Sequence, residues 1–178
     1  MDLTNKALPN TVTVGGKAFS IYTDYRIWLR FCAEHEKREI DSQWDIRYLF
    51  KNKLPEVADI NGILEFAYPR CICPKSSGAA TRVRLFDYEI DADIIYSSFY
   101  QQYGIDLIDI EELHWHKFNA LFNGLNKHTR MSEVIGYRSY KKSSKKTEQI
   151  YEELRNSWEL PEITTKERAE ELEEWNKW

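Results

Sequence analysis

Two helical stripes separated by a glycine constrain this chain more than any other feature. Between Asp91 and Arg138 it reads DADIIYSSFYQQYGIDLIDIEELHWHKFNALFNGLNKHTRMSEVIGYR. Ile95, Tyr96, Phe99, Tyr100 and Tyr103 fall on one wide face at helical spacing, while Ser97, Ser98 and Gln101 fall on the other. Gly104 follows the last periodic residue, where the chain must enter the left-handed region to stop the helix, and Ile105 is placed to fold back against the final turn. Asp109 with Glu112 has capping-box spacing, so a second helix is expected from Ile110. Its face would carry Ile110, His114, Phe118, Leu121, Phe122 and Leu125, with Gly124 as terminator. Helices this close in sequence pack against each other, which predicts a central helical hairpin.

Upstream, TVTVGGKAFSI alternates on both sides of Gly15-Gly16, the pattern of a β-hairpin with a two-residue turn. Thr23 or Asp24 caps a following helix that buries Tyr25, Trp28, Leu29 and Cys32, and the run EHEKRE leads out to solvent. Residues 42–51 read as a short helix, apolar nearly all round through Trp44, Ile46, Tyr48, Leu49 and Phe50. Such a segment is either enclosed or offered to a partner. Another helix is expected from Pro55 to Tyr68, carrying Val57, Ile60, Leu64 and Tyr68, although Gly62 weakens it. The stretch CICPKSSGAATRVR has nothing periodic to bury and reads as a loop, and RLFDYE reads as a short strand. Thr129 to Tyr137 makes a small third helix.

The fold class expected is mainly α: an N-terminal β-hairpin packed on a bundle of short helices with the central helical hairpin, plus a helical C-terminal tail. Residues 1–140 form the packed domain. Residues 141–178 form a basic linker, KKSSKKTEQ, and an acidic amphipathic tail. In that tail one helix runs through Ile150, Leu154 and Trp158, and a last helix, with Thr164 and Glu167 at capping-box spacing, carries Ala169, Leu172, Trp175 and Trp178 as a narrow stripe. Three tryptophans there need something to bury against. Trp158, Leu172, Trp175 and Trp178 are accordingly the candidate partner-binding residues.

Composition supports a soluble, unexported chain. No apolar run approaches the ~20 residues needed to span a bilayer, and the N-terminus has neither a basic start nor an apolar core of a leader. A net charge of −4 gives no global nucleic-acid footprint. Three cysteines, two of them at Cys71-x-Cys73, do not indicate a disulfide framework, which fits a reducing cytoplasm.

Motifs that would carry chemistry fail on spacing. His114-x-His116 on a helix puts the rings on nearly opposite faces, so one ion cannot take both; a core histidine beside a solvent one is expected. Cys71-x-Cys73 lacks the spacer of a zinc knuckle. Asp87, Glu89, Asp91 and Asp93 alternate like a calcium loop, but Ala92 and Ser98 occupy the positions of its glycine and bidentate glutamate, so these acids are expected to solvate a strand edge and cap the next helix. Lys141, Lys142, Lys145 and Lys146 with Arg138 form the only basic cluster. No residue is assigned a catalytic role, and no cofactor or metal is expected.

The runs FYQQYGIDL, LHWHKFNALFNGL and IGYR, the opening LPNTVTVGGKAFSIYTDYRIWLRF and the middle RLFDYEIDADIIY resemble the bacteriophage gene-product-fifteen family of small phage and prophage proteins. The likeness runs to about Tyr140. It implies a protein encoded between the major tail protein and the tape measure, the usual place of tail assembly chaperones, which keep the tape measure soluble until the tube polymerises around it. The expected partner is thus the tape-measure or tail-tube protein, with self-association also open and no membrane or nucleic acid expected. The alternatives are a structural virion component, such as a tail-completion or connector protein, and a nucleic-acid-binding regulator using the lysines.

Overall fold

Gly15 and Gly16 both adopt positive φ, 55° and 75°, which is what a tight hairpin turn of the twist-matched type demands at its two central residues. They join β1 (Thr11–Val14) to β2 (Lys17–Ser20) in antiparallel register, with Val12 opposite Phe19. Val12, Val14 and Phe19 are buried, and the alternating residues face water, as the period-2 pattern predicts. This computed structural model describes residue 4 and residues 7–37, 44–55, 60–69, 84–140 and 148–161. The loop expected after Cys71, apart from Arg84, and the last tail helix lie outside the described residues. The architecture is mainly helical with one two-stranded hairpin, the expected class. No helix among the described residues is long and apolar enough to cross a membrane.

The chain divides into two compact units, the first holding the described residues up to 69 with 112–119, the second 84–111 with 120–161. In the first, α1 (Tyr25–Lys37) starts where the Asp24 carboxylate accepts the Arg26 N–H at 3.0 Å. It buries Tyr25, Trp28, Phe31 and Cys32; Leu29 is only half-buried, and Phe31 takes the central place. The Trp28 indole donates to the Tyr22 carbonyl at 2.8 Å. Glu34, in the run expected to lead out to solvent, instead accepts from Arg30, Trp44 and Tyr48 at 2.8–2.9 Å.

Trp44 to Phe50 is not a helix. Only a 3-10 turn forms, Arg47–Leu49, after which Phe50 bridges Ile21. The backbone explains why: Tyr22 N–H donates to Leu49 and Lys51 N–H donates to Ser20, at 2.9 and 3.0 Å, so these groups extend the hairpin's edge instead of closing helical turns. The Asp45 carboxylate tightens the turn through the Arg47 N–H. Trp44, Leu49 and Phe50 are buried, so the segment is enclosed within this unit. α2 (Asn61–Ala67) is shorter than the helix expected from Pro55 and turns Ile63, Phe66 and Ala67 inward, leaving Tyr68 exposed and Leu64 half-buried; residues 56–59 lie outside the described residues. Gly62 is the reason α2 can lie on β1: a Cβ there would run into the Thr13 carbonyl oxygen.

In the second unit α3 (Ala92–Tyr103) ends at Gly104, φ 65°, whose N–H returns to the Tyr100 carbonyl, as expected of a glycine stop. The buried face of α3 is rotated from the expected one. Ile95, Ser98 and Phe99 point inward while Tyr100 is 58% exposed and Tyr96 half-buried. The partner helix sets this. α3 packs along α5 (Arg130–Ser139), where the Ser98 hydroxyl accepts the Met131 N–H at 3.1 Å. α5 is capped by Thr129, whose hydroxyl accepts the Ser132 N–H.

The following helix, α4 (Trp115–Asn123), starts five residues later than the capping-box spacing predicts. Asp106 spends its carboxylate on the N–H groups of Ile108 and Asp109, making a turn where a helix was expected to begin. Trp115, Phe118 and Phe122 are its buried residues. Gly124 ends α4 without a positive φ; its lack of a side chain admits the Tyr103 hydroxyl, which donates to the Leu121 carbonyl at 2.8 Å. α6 (Glu148–Ser157) packs on α5. Residues 84–89 form no strand, because Asp87 turns the chain by accepting the N–H groups of Glu89 and Ile90.

Two glycines give opposite predictions. Gly62→Ala should lower unfolding free energy by about 1–3 kcal/mol through collision with β1. Gly136→Ala, in α5 with open space at its Cβ position, should raise it by about 1 kcal/mol. Urea melts of the two variants check both signs.

Candidate interaction surface

Arg138 closes α5 and is almost fully buried, at 6% exposure. Its place follows from helical spacing, since Met131, Val134 and Arg138 are the three buried residues of one stripe. The guanidinium grips Asp91 in a two-pronged pair, 2.6 Å to Oδ2 and 2.9 Å to Oδ1. It also donates to the carbonyls of Leu85 and Trp158, at 3.1 and 2.6 Å. Asp91 accepts the Asp87 N–H at 2.9 Å, and Asp87 in turn pairs with Arg84. Asp87 and Asp91 thus solvate no strand edge. Asp91 precedes α3 but its carboxylate makes no cap bond to that helix. Arg138 is likewise no member of a solvated basic cluster; Lys141, Lys142, Lys145 and Lys146 lie outside the described residues.

Three arginines of the second unit converge on the end of α6. The Arg130 guanidinium lies 4.9 Å from the centre of the Trp158 ring, Arg138 holds the Trp158 carbonyl, and Arg84 donates to the Pro161 carbonyl at 3.3 Å. Tyr140 stacks on Tyr151 at 5.2 Å. Of the tail stripe, Leu154 and Trp158 are half-buried and Ile150 stays 64% exposed; neighbouring Tyr151 is 47% exposed. Leu172, Trp175 and Trp178 lie outside the described residues.

The histidine pair belongs to the first unit and has a backbone role. His114 is not on the α4 stripe but immediately before the helix, bridged to Asp24, with Trp115 N–H donating to Thr23 at 2.7 Å. Its Nδ1 accepts the His116 N–H at 3.0 Å, a helix cap supplied by imidazole, and its Nε2 lies 3.0 Å from the Pro9 carbonyl. One nitrogen must accept and the other donate, which selects the neutral ring. His116 is half-buried, not solvated: its Nε2 reaches the Phe66 carbonyl at 3.1 Å and its ring packs on Phe66 at 4.5 Å. The two rings stand at 5.3 Å and 73°, each engaged with a different carbonyl. Burial pushes both imidazoles below the usual histidine range, as it does His35. Among the described residues no group of histidine, cysteine and acidic side chains has metal-holding geometry. Cys32 is buried in α1, where burial pushes its thiol up to about 12. Cys71 and Cys73 lie outside the described residues.

A family model described as Bacteriophage Gp15 protein matches residues 4–160. The chain belongs to that family. The match takes in both units and reaches past Trp158, while Leu172, Trp175 and Trp178 fall beyond it. No curated protein and no solved structure matches the chain. Membership supports a phage-associated role for this family member.

The buried pair and the histidines generate two predictions. Arg138→Met should cost about 3–5 kcal/mol by leaving Asp91 buried and unpaired. Adding Asp91→Leu should recover part of that loss, so the double variant costs less than the two single changes added, measured by chemical denaturation. The depressed histidines bind protons more readily unfolded than folded, so their contribution is fully present above the usual value of about 6.5 and is lost as pH falls from there through the lowered folded values. Tm should fall from pH 7.5 to pH 5.5, and His114→Asn, which keeps a cap acceptor without a titrating ring, should flatten that fall.

Proposed function

We propose that this phage protein acts in tail morphogenesis, as an assembly chaperone or adaptor that holds the tape-measure or tail-tube protein through apolar helix contacts. The observation that carries the reading is the family match over residues 4–160, because the family resemblance points to a gene beside the tape measure. The surface of α6 supports it. Ile150 and Tyr151 are exposed beside half-buried Leu154 and Trp158, a one-turn-spaced apolar stripe only partly covered by its own unit. Reversible grip on a helix requires such a stripe, seated well enough to stay folded and open enough to bind.

Co-expression tests the proposal. Tape-measure fragments should become several-fold more soluble with the full chain, and Ile150→Ser with Tyr151→Ser should remove the gain. No gain from the unaltered chain overturns the chaperone reading. Stoichiometric presence of the protein in purified particles, measured by mass spectrometry, would replace it with a structural virion role.

A further inference from the structure

The outer face of α3 combines exposed rings with a one-signed charge. At roughly 100° per residue, Asp93, Tyr96, Ser97 and Tyr100 fall within a narrow arc opposite the residues buried against α5. Tyr96 and Tyr100 stack at 6.3 Å and 17°, with Tyr100 58% exposed. The Tyr96 hydroxyl donates to Asp106 at 3.1 Å and so holds the turn after α3 beside the rings. Asp106 fixes that turn through the N–H groups of Ile108 and Asp109, and Ile108 stands 76% exposed on it. A half-buried tyrosine stacked on an exposed one, tied by a specific hydrogen bond to a loop that presents an isoleucine, makes an amphipathic platform.

Charge selects its occupant. From residue 85 to residue 116 the chain has eight carboxylates and no lysine or arginine. Asp87 and Asp91 are buried and paired with Arg84 and Arg138; of the six that remain, which include Glu89, Glu111 and Glu112, Asp93 shares the helix arc of the tyrosines and Asp106 and Asp109 lie on the turn tied to Tyr96. The N–H groups of Ile108 and Asp109 hold the Asp106 carboxyl below the usual carboxylate range, so it stays ionised. The base tied directly to α3, Arg138, is buried and paired with Asp91, and Gln101 and Gln102 face the backbone carbonyls of His128 and Gly124.

We propose that this face docks a basic amphipathic helix of a partner protein. Apolar side chains of that helix cover Tyr96, Tyr100 and Ile108, and its lysines or arginines pair with Asp93, Asp106 and Asp109, with arginine also able to stack on the tyrosine rings. An acidic helix or a nucleic acid is repelled by the same carboxylates. None of the residues used is on α6, so the proposal stands or falls separately from the tail-chaperone reading.

The test uses the full chain and a synthetic helix with leucines along one face and lysines along the other. Two further peptides serve as comparisons: a scrambled one of the same composition, and one with glutamate replacing lysine. Fluorescence anisotropy should show binding of the basic amphipathic peptide only, with the ring signals of Tyr96 and Tyr100 shifting in NMR spectra. Tyr100→Ser with Ile108→Ser should weaken binding by about tenfold or more. Asp93→Lys with Asp109→Lys should weaken it and flatten its salt dependence. Leu54→Ser, an exposed apolar change elsewhere, should leave it unchanged. All variants are compared only where their thermal melts match the unaltered chain. Absence of binding, equal capture of the scrambled or glutamate peptide, or unchanged binding by the Tyr100/Ile108 variant would overturn the proposal. Loss of tape-measure solubilisation alone would count against the α6 reading and leave this one in place.

Discussion

A guanidinium and a carboxylate taken out of water together cost several kcal/mol each, and only near-complete pairing offsets that. Arg138 and Asp91 meet the condition: two-pronged contact, two further carbonyls on the arginine and a backbone N–H on the aspartate. Because each partner needs the other, the start of α3, the end of α5, the strand-less segment at Leu85 and the end of α6 are tied to a single geometry. The rotation of α3 about its axis, and hence which of its tyrosines face water, follows from that tie and from the Ser98–Met131 bond. The second unit is organised from this pair outward.

The first unit is built differently, by giving backbone groups partners far away in sequence. The hairpin edge takes the N–H and C=O groups of residues 49–51, Thr23 takes the Trp115 N–H, and the two histidines take the carbonyls of Pro9 and Phe66. Buried backbone must be paired by something, and here side-chain imidazole and extended chain do what regular helix would otherwise do. The same requirement turns a segment with a helix-like apolar pattern at Trp44 to Phe50 into a 3-10 turn followed by a bridge.

Burial inside the second unit bears on binding. Arg138 leaves the basic cluster and becomes structural, whereas Tyr100, assigned by periodicity to a core, is free of it and faces solvent. α3 therefore has two working faces: one locked on α5, the other carrying rings and carboxylates. α6 shows the same division more weakly, with its end held by three arginines and its Ile150 turn in water.

Features encoded within a few residues were legible from the chain alone. Paired glycines announced the hairpin, Gly104 the end of α3 and Thr129 the start of α5, since each needs only local backbone conformation or one side-chain cap. The mainly helical class with one hairpin followed from these and from apolar periodicity. Even Arg138 had a local sign, its place on the stripe of Met131 and Val134, although the partner that permits its burial lies 47 residues away. Which helix packs on α3, where α4 begins, and what His114 does were decided only by tertiary structure. Those outcomes depend on desolvation and on donors meeting acceptors across long stretches of chain, and periodicity carries no record of such meetings.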